Sequence, residues 1–202
     1  MSSATNFWTA GLDQVKDPKR NFRFKVSFLG TEPNSGGPLM QGGIWFAKSC
    51  TQPSLTFTES SVDFMMHKFY WPAKATWNEV DIVLVDPVVP HATGKLLQII
   101  SSSGFKIPTS DSFTSVSKTG VSSNLGNVQI DQLDAEGNMN HQWNLIHAWI
   151  KEVSFSNLDY GNEELMEITL KLRYDWAEFR SAGGLDDDIG STGLFTLTTP
   201  TE

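Results

Sequence analysis

From Met166 to Trp176 the chain alternates without a break: Met166, Ile168, Leu170, Leu172, Tyr174 and Trp176 against Glu167, Thr169, Lys171, Arg173 and Asp175. Side chains on a strand point to opposite faces with a period of two, so this pattern predicts a strand with six apolar groups on one face. A slip of one residue would turn all six into water, which fixes the register. Phe22, Phe24, Val26 and Phe28 alternate with Arg23, Lys25 and Ser27 in the same way, and Gly30 ends that run. Further strands are predicted over Ile44–Thr51, Trp77–Val85 and Val128–Leu133. Trp143–Ile150 and Lys151–Phe155 follow as two strands or one bent strand, after a tight turn at Asp134–Asn138.

Three stretches depart from simple alternation. Between Ser54 and Trp71, Phe64, Met66 and Tyr70 fall on one parity and Met65, Phe69 and Trp71 on the other. A long strand or hairpin apolar on both faces needs a cover on both, and a neighbouring subunit would supply it. Thr93–Ser103 reads as the single convincing helix, with Thr93 as N-cap, Leu96, Leu97 and Ile100 on one face and Gly104 as the stop. Ser101–Asn127 is rich in Ser, Thr and Gly, which predicts a long loop without its own structure. Its spaced apolar residues, Phe105 and Phe113 among them, suit anchors that order against another subunit. Phe64, Met65, Met66, Phe105 and Phe113 are therefore the candidate subunit-interface residues.

The sum is a mainly β chain: two packed antiparallel sheets, sandwich- or barrel-like, with one flanking α-helix and long loops. At 202 residues it reads as one domain, with a core over 20–179, an N-terminal arm over 1–19 and a C-terminal tail over 180–202. The arm carries Phe7, Trp8, Leu12 and Val15, spaced for a short helix or a docking segment, and the Thr31–Gly43 stretch is rich in Gly and Pro. With 15 basic and 23 acidic residues the formal charge is −8, which argues against ordinary nucleic-acid binding. The lone Cys50 rules out an internal disulfide, and no apolar run is long enough to span a bilayer. No signal peptide is read at the N-terminus, so synthesis in a reducing cytoplasm is expected.

A catalytic reading finds little support. Gly94-Lys95 lacks the earlier glycine of a phosphate loop, since Val89 stands there, and no GxSxG, HExxH or CxxC occurs. His67, His91, His141 and His147 have no metal-like spacing, and Asp134, Glu136 and Asn138 form half a calcium loop without its closing glutamate. Asp186–Asp188 reads as solvated tail. No catalytic, cofactor or metal residues are assigned, and no cofactor is expected. Trp71, Trp77, Trp143, Trp149 and Trp176 lie on or beside strands, as core or interface residues, or as the platform of a carbohydrate-binding or hydrolytic β-sandwich.

Several segments in order resemble one family. They are Asn21-Phe22-Arg23-Phe24-Lys25-Val26, Thr76-Trp77-Asn78-Glu79-Val80-Asp81-Ile82 with the helix after it, and Trp143-Asn144-Leu145-Ile146-His147-Ala148-Trp149-Ile150. Leu158-Asp159-Tyr160 then leads into Ile168-Thr169-Leu170-Lys171-Leu172-Arg173-Tyr174-Asp175. Across residues 20–179 the chain resembles the tail tube proteins of contractile-tailed bacteriophages. The resemblance implies a non-enzymatic virion protein whose hexameric rings stack into a hollow tube. Genomic DNA would pass through the lumen, with a sheath outside and baseplate and terminator proteins at the ends. A baseplate–tube adaptor or a secreted tube or ring protein is the alternative.

Overall fold

A computed structural model describes residues 19–30, 47–89, 91–106, 115–161 and 163–181. The N-terminal arm, the Gly/Pro-rich stretch, Phe113 and the C-terminal tail lie outside these residues. Ten strands and two helices are described, in the order β1 (Phe24–Phe28), β2 (Ala47–Cys50), β3 (Leu55–Phe64), β4 (His67–Trp77), β5 (Val80–Val85), α1 (Ala92–Ser102), α2 (Lys118–Leu125), β6 (Val128–Leu133), β7 (Met139–Ile146), β8 (Trp149–Phe155), β9 (Glu167–Arg173) and β10 (Trp176–Ser181). One four-stranded antiparallel sheet runs β1-β6-β7-β10, the other β2-β5-β9-β8, and β3 with β4 forms a two-stranded hairpin by itself. The two larger sheets are the predicted sandwich; they do not close into a barrel.

The two sheets share one core. Val26, Phe28, Val128, Ile130, Leu145 and Ala177 come from the first sheet, and Val80, Ile82, Leu84, Ile168, Leu170 and Leu172 from the second. Ala92, Leu96 and Ile99 of α1 and Leu125 of α2 add to it. Outward positions of the second sheet carry paired charges, Lys171 with Glu152 of the neighbouring strand at 2.9 Å and Lys151 with Glu79 just before β5. Such exposed pairs add only ~0–1 kcal/mol each, so the apolar face does the holding.

The long alternation of Met166–Trp176, which predicts one strand, is divided by a bend. Ile168, Leu170, Leu172 and Tyr174 are buried as predicted, but Met166 precedes the strand and Trp176 is exposed. β9 ends at Arg173, and the chain resumes as β10 in the other sheet, where Ala177 turns inward. β7 and β8 cross between the sheets at the same level, through His147 (φ +53°) and the buried Ala148. Asp175 joins the two crossings. Its N–H donates to the Ile146 carbonyl at 3.1 Å, and its carboxylate lies 3.0 Å from His147 Nδ1 and accepts from Lys118 Nζ at 2.7 Å.

Two helices flank the sandwich, one more than expected. α1 begins one residue early, and the N-cap position is His91, whose side chain makes no capping bond. Asp86 serves instead: its carboxylate accepts from the Ala92 N–H at 3.0 Å and from the Thr93 hydroxyl. α2 corrects the reading of 101–127 as a structureless loop. Its own residues favour helix weakly, but Ser117 caps it by accepting from the Gly120 N–H at 3.1 Å, and Leu125 is buried. Its end crosses the end of β1 with Gly126 (φ +70°) against Gly30. A Cβ on Gly30 would stand 2.1 Å from the Asn124 carbonyl oxygen, so both glycines are required by the close approach.

Two outcomes follow. The hydrogen bond from Lys118, followed by that from His147, holds the Asp175 carboxyl below its ordinary 3.8. A depressed folded value stabilises fully above the unfolded value and is lost as pH falls through the folded one. Asp175→Asn should thus lower the urea midpoint at neutral pH, with the gap to wild type closing below about pH 3.8; a pH-independent gap would refute the ion-pair account. Tyr174 has a buried hydroxyl with no partner, and burial pushes its pKa up to about 12. Tyr174→Phe should be neutral or stabilising by up to ~1 kcal/mol in denaturant titration, since it removes an unsatisfied group.

Candidate assembly surface

The β3–β4 hairpin stands off the sandwich. Asn78 fastens its base, donating its backbone N–H to the Ser54 carbonyl at 2.9 Å and its side-chain amide to Ser54 Oγ and Thr56 Oγ1. This is why the predicted Trp77–Val85 strand divides: Trp77 ends β4, and β5 starts at Val80. Trp77 packs on Tyr174 with ring centroids 6.0 Å apart. Beyond the base the hairpin is exposed along both strands. Ten strand residues at 3.2–3.4 Å each carry its tip roughly 30 Å from the base.

The register shows how the apolar groups are arranged. A bulge between Phe57 and Glu59 places an extra residue on β4, while β3 alternates regularly. Past it, Ser60 pairs with Trp71, Val62 with Phe69 and Phe64 with His67 on one face. Glu59 with Pro72, Ser61 with Tyr70 and Asp63 with Lys68 form the other. The turn at Met65-Met66 reverses parity. Apolar residues that the sequence puts on both parities thus gather mostly on one face, while Phe57 and Tyr70, also exposed, stand on the other. Phe64, Met65 and Met66 meet at the tip, where the methionines are 90% and 96% exposed. Met65 has φ +53° at the first loop position, where glycine is favoured.

A second apolar surface lies between α1, α2 and β8. Ile99, Ile100, Phe105, Val116, Trp149 and Ile150 line a groove of about 170 Å³. Phe105 and Val116 at its rim are 57% and 55% exposed. The structure therefore separates the interface candidates, with Phe64, Met65 and Met66 on the hairpin and Phe105 at the groove. Phe113 is outside the described residues. The groove depends on α2, which sequence reasoning missed; Ser117 and Gly126 at the ends of an eight-residue segment were its signal.

The candidates for chemistry have other partners. Asp134 accepts from the backbone N–H groups of Glu136 at 2.9 Å and Asn138 at 2.8 Å, which is the predicted turn. Burial pushes the Cys50 thiol up to about 12, so it stays protonated at neutral pH. Trp77 and Trp143 pack against the core, and Trp71 shares the hairpin's apolar face with Val62 and Phe69. Among the described residues no group of three or more His, Cys, Asp or Glu could hold a metal, and no helix is long and apolar enough to cross a membrane.

No protein-family model and no curated protein sequence matches the chain. Solved structures do match in fold, among them chains of contractile injection system assemblies. A chain of the anti-feeding prophage (AFP) baseplate is similar with TM-score 0.58 and 17% identity, over 81% of this chain and 96% of that one. The AFP tube terminating cap gives 0.59 and 16%, over 86% and 98%. A chain of the PVC sheath-tube complex of an extracellular contractile injection system, in its extended state, gives 0.56 and 14%, over 83% and 95%. The fold is that of contractile injection system components, the class to which the sequence resemblance pointed.

The Met65 backbone allows a local test. Met65→Gly relieves the left-handed conformation, which costs an L side chain ~1–2 kcal/mol. Exchange of the Val62 and Phe69 amides in the free chain should slow several-fold, and unchanged or faster exchange would mean that the turn is unstrained.

Proposed function

We propose that this chain is the structural subunit of a contractile-tail tube, without enzymatic activity. Copies associate into rings of six, the rings stack into a hollow tube, and phage DNA passes through the lumen to the host. A sheath surrounds the tube, and baseplate and terminator proteins close its ends; its location is the phage tail of the virion. The observation that carries the reading is the exposed β3–β4 hairpin on a complete sandwich core. A two-stranded hairpin is marginal in water, and one with an apolar face needs a surface to cover it. Similarity to chains of baseplate, cap and sheath-tube structures supports this setting at the level of fold.

The acidity of the chain fits a conduit better than a nucleic-acid binder. At −8 per chain, six copies carry −48, and negative walls repel phosphate. The same spread of matches, at TM-scores of 0.58, 0.59 and 0.56, favours a baseplate–tube adaptor as the second reading. Electron microscopy of the purified chain distinguishes these. Long tubes with an axial channel are expected, and they should not retain duplex DNA at low salt. Single rings that never stack would favour the adaptor, and monomers at high concentration would overturn both.

A further inference from the structure

We infer that the hairpin tip, Met65 with Met66, inserts into the groove between α1, α2 and β8 of a second copy of this chain. The inference rests on the self-assembly reading and names which two surfaces meet. A chain's own hairpin cannot make this contact. Trp77 at the hairpin base packs on Tyr174, which follows Arg173, and Arg173 pairs with Trp149 on the groove wall. The groove therefore lies beside the base, while the tip of the extended hairpin is roughly 30 Å away. Only another copy can bring a tip to it.

The chemistry of the two surfaces matches. Among the described residues Ser103 is the polar one in the groove's lining, and its hydroxyl already donates to the Ile99 carbonyl at 2.7 Å. The groove thus asks for an apolar, uncharged insert. Its volume of about 170 Å³ suits a few side-chain atoms rather than a folded element, since a cavity of roughly 150 Å³ holds a benzene-sized group. Methionine is unbranched and polarizable, and it adapts to irregular apolar gaps. Just below the tip, Asp63 and Lys68 pair across the ladder, so the inserted end brings no net charge toward an acidic chain. Tip and groove are different patches, so a contact repeated from copy to copy is head-to-tail, the type that builds rings or filaments.

Two variants test this, each damaging one half of the contact: Met65→Asp with Met66→Asp at the tip, and Val116→Asp at the groove rim. Thermal melts should match wild type, because these side chains are exposed; should Val116→Asp unfold, Phe105→Ser replaces it. Each variant alone should remain monomeric by light scattering where wild type assembles. Mixed in equal amounts, they should form one-to-one dimers, since the intact tip of one fits the intact groove of the other and nothing further can add. If wild type assembles but the mixture stays monomeric, or the tip variant assembles normally, the tip–groove contact is wrong while the tube reading stands. If wild type itself never assembles, both fall.

Discussion

The sandwich depends on one corner. Two pairs of strands, β7-β10 and β8-β9, are the two halves of a single bent ribbon, and both members bend at the same level. The Asp175 N–H to Ile146 carbonyl bond spans the bend, and the Asp175 carboxylate ties in His147 and Lys118. Because the ribbon continues from one sheet into the other, the two sheets are linked through backbone as well as through the core. The same carboxylate holds the start of α2, so a segment of low helix propensity is fixed at three points: Ser117, Lys118 and Leu125. The groove between the helices follows from that corner.

What was legible in the sequence was whatever a period of two could encode. The buried run of β9 was readable because its core residues alternate with half-buried polar ones, and β1 and β6 because apolar and polar residues alternate in them, although Ser27, Asp131 and Gln132 are buried too. The bend at Tyr174-Asp175 was not, because a strand that changes sheet can keep its alternation in sequence while its faces exchange in space. Trp176 therefore looked like a core residue and is exposed, whereas Ala177 is buried. α2 was invisible for a different reason: its stability comes from a cap, one buried leucine and a distant carboxylate rather than from an apolar stripe. The cap of α1 was misplaced similarly, since Asp86 acts from six residues before Ala92.

The exposed apolar residues of the hairpin stand out in the sequence, but not their arrangement in space. Phe64, Met65 and Met66 stood out because large apolar residues fell on both parities. Parity, however, keeps its meaning only within one strand. The turn at Met65-Met66 reverses it, and Val62, Phe64, Phe69 and Trp71 come to one face, with Glu59, Asp63, Lys68 and Tyr70 opposite, a more polar side. A ribbon with one apolar and one polar face has a defined orientation at an interface: the apolar side goes against protein and the polar side toward water. A ribbon apolar on both faces would have had to be sandwiched.

That asymmetry constrains the kind of assembly. One two-fold dimer would place hairpin against hairpin. Such a pairing could cover Val62, Phe64, Phe69 and Trp71, but it would leave the groove at Phe105 and Val116 open on both chains. It would also stop at two copies. Contact between unlike patches covers a hairpin and a groove in every copy except those at the ends of an open array, and a closed ring leaves none exposed. In a chain with two separate apolar surfaces, contact between unlike patches buries more of both than hairpin-on-hairpin pairing can. The distribution of apolar surface on the single chain therefore favours contact between unlike patches over hairpin-on-hairpin pairing.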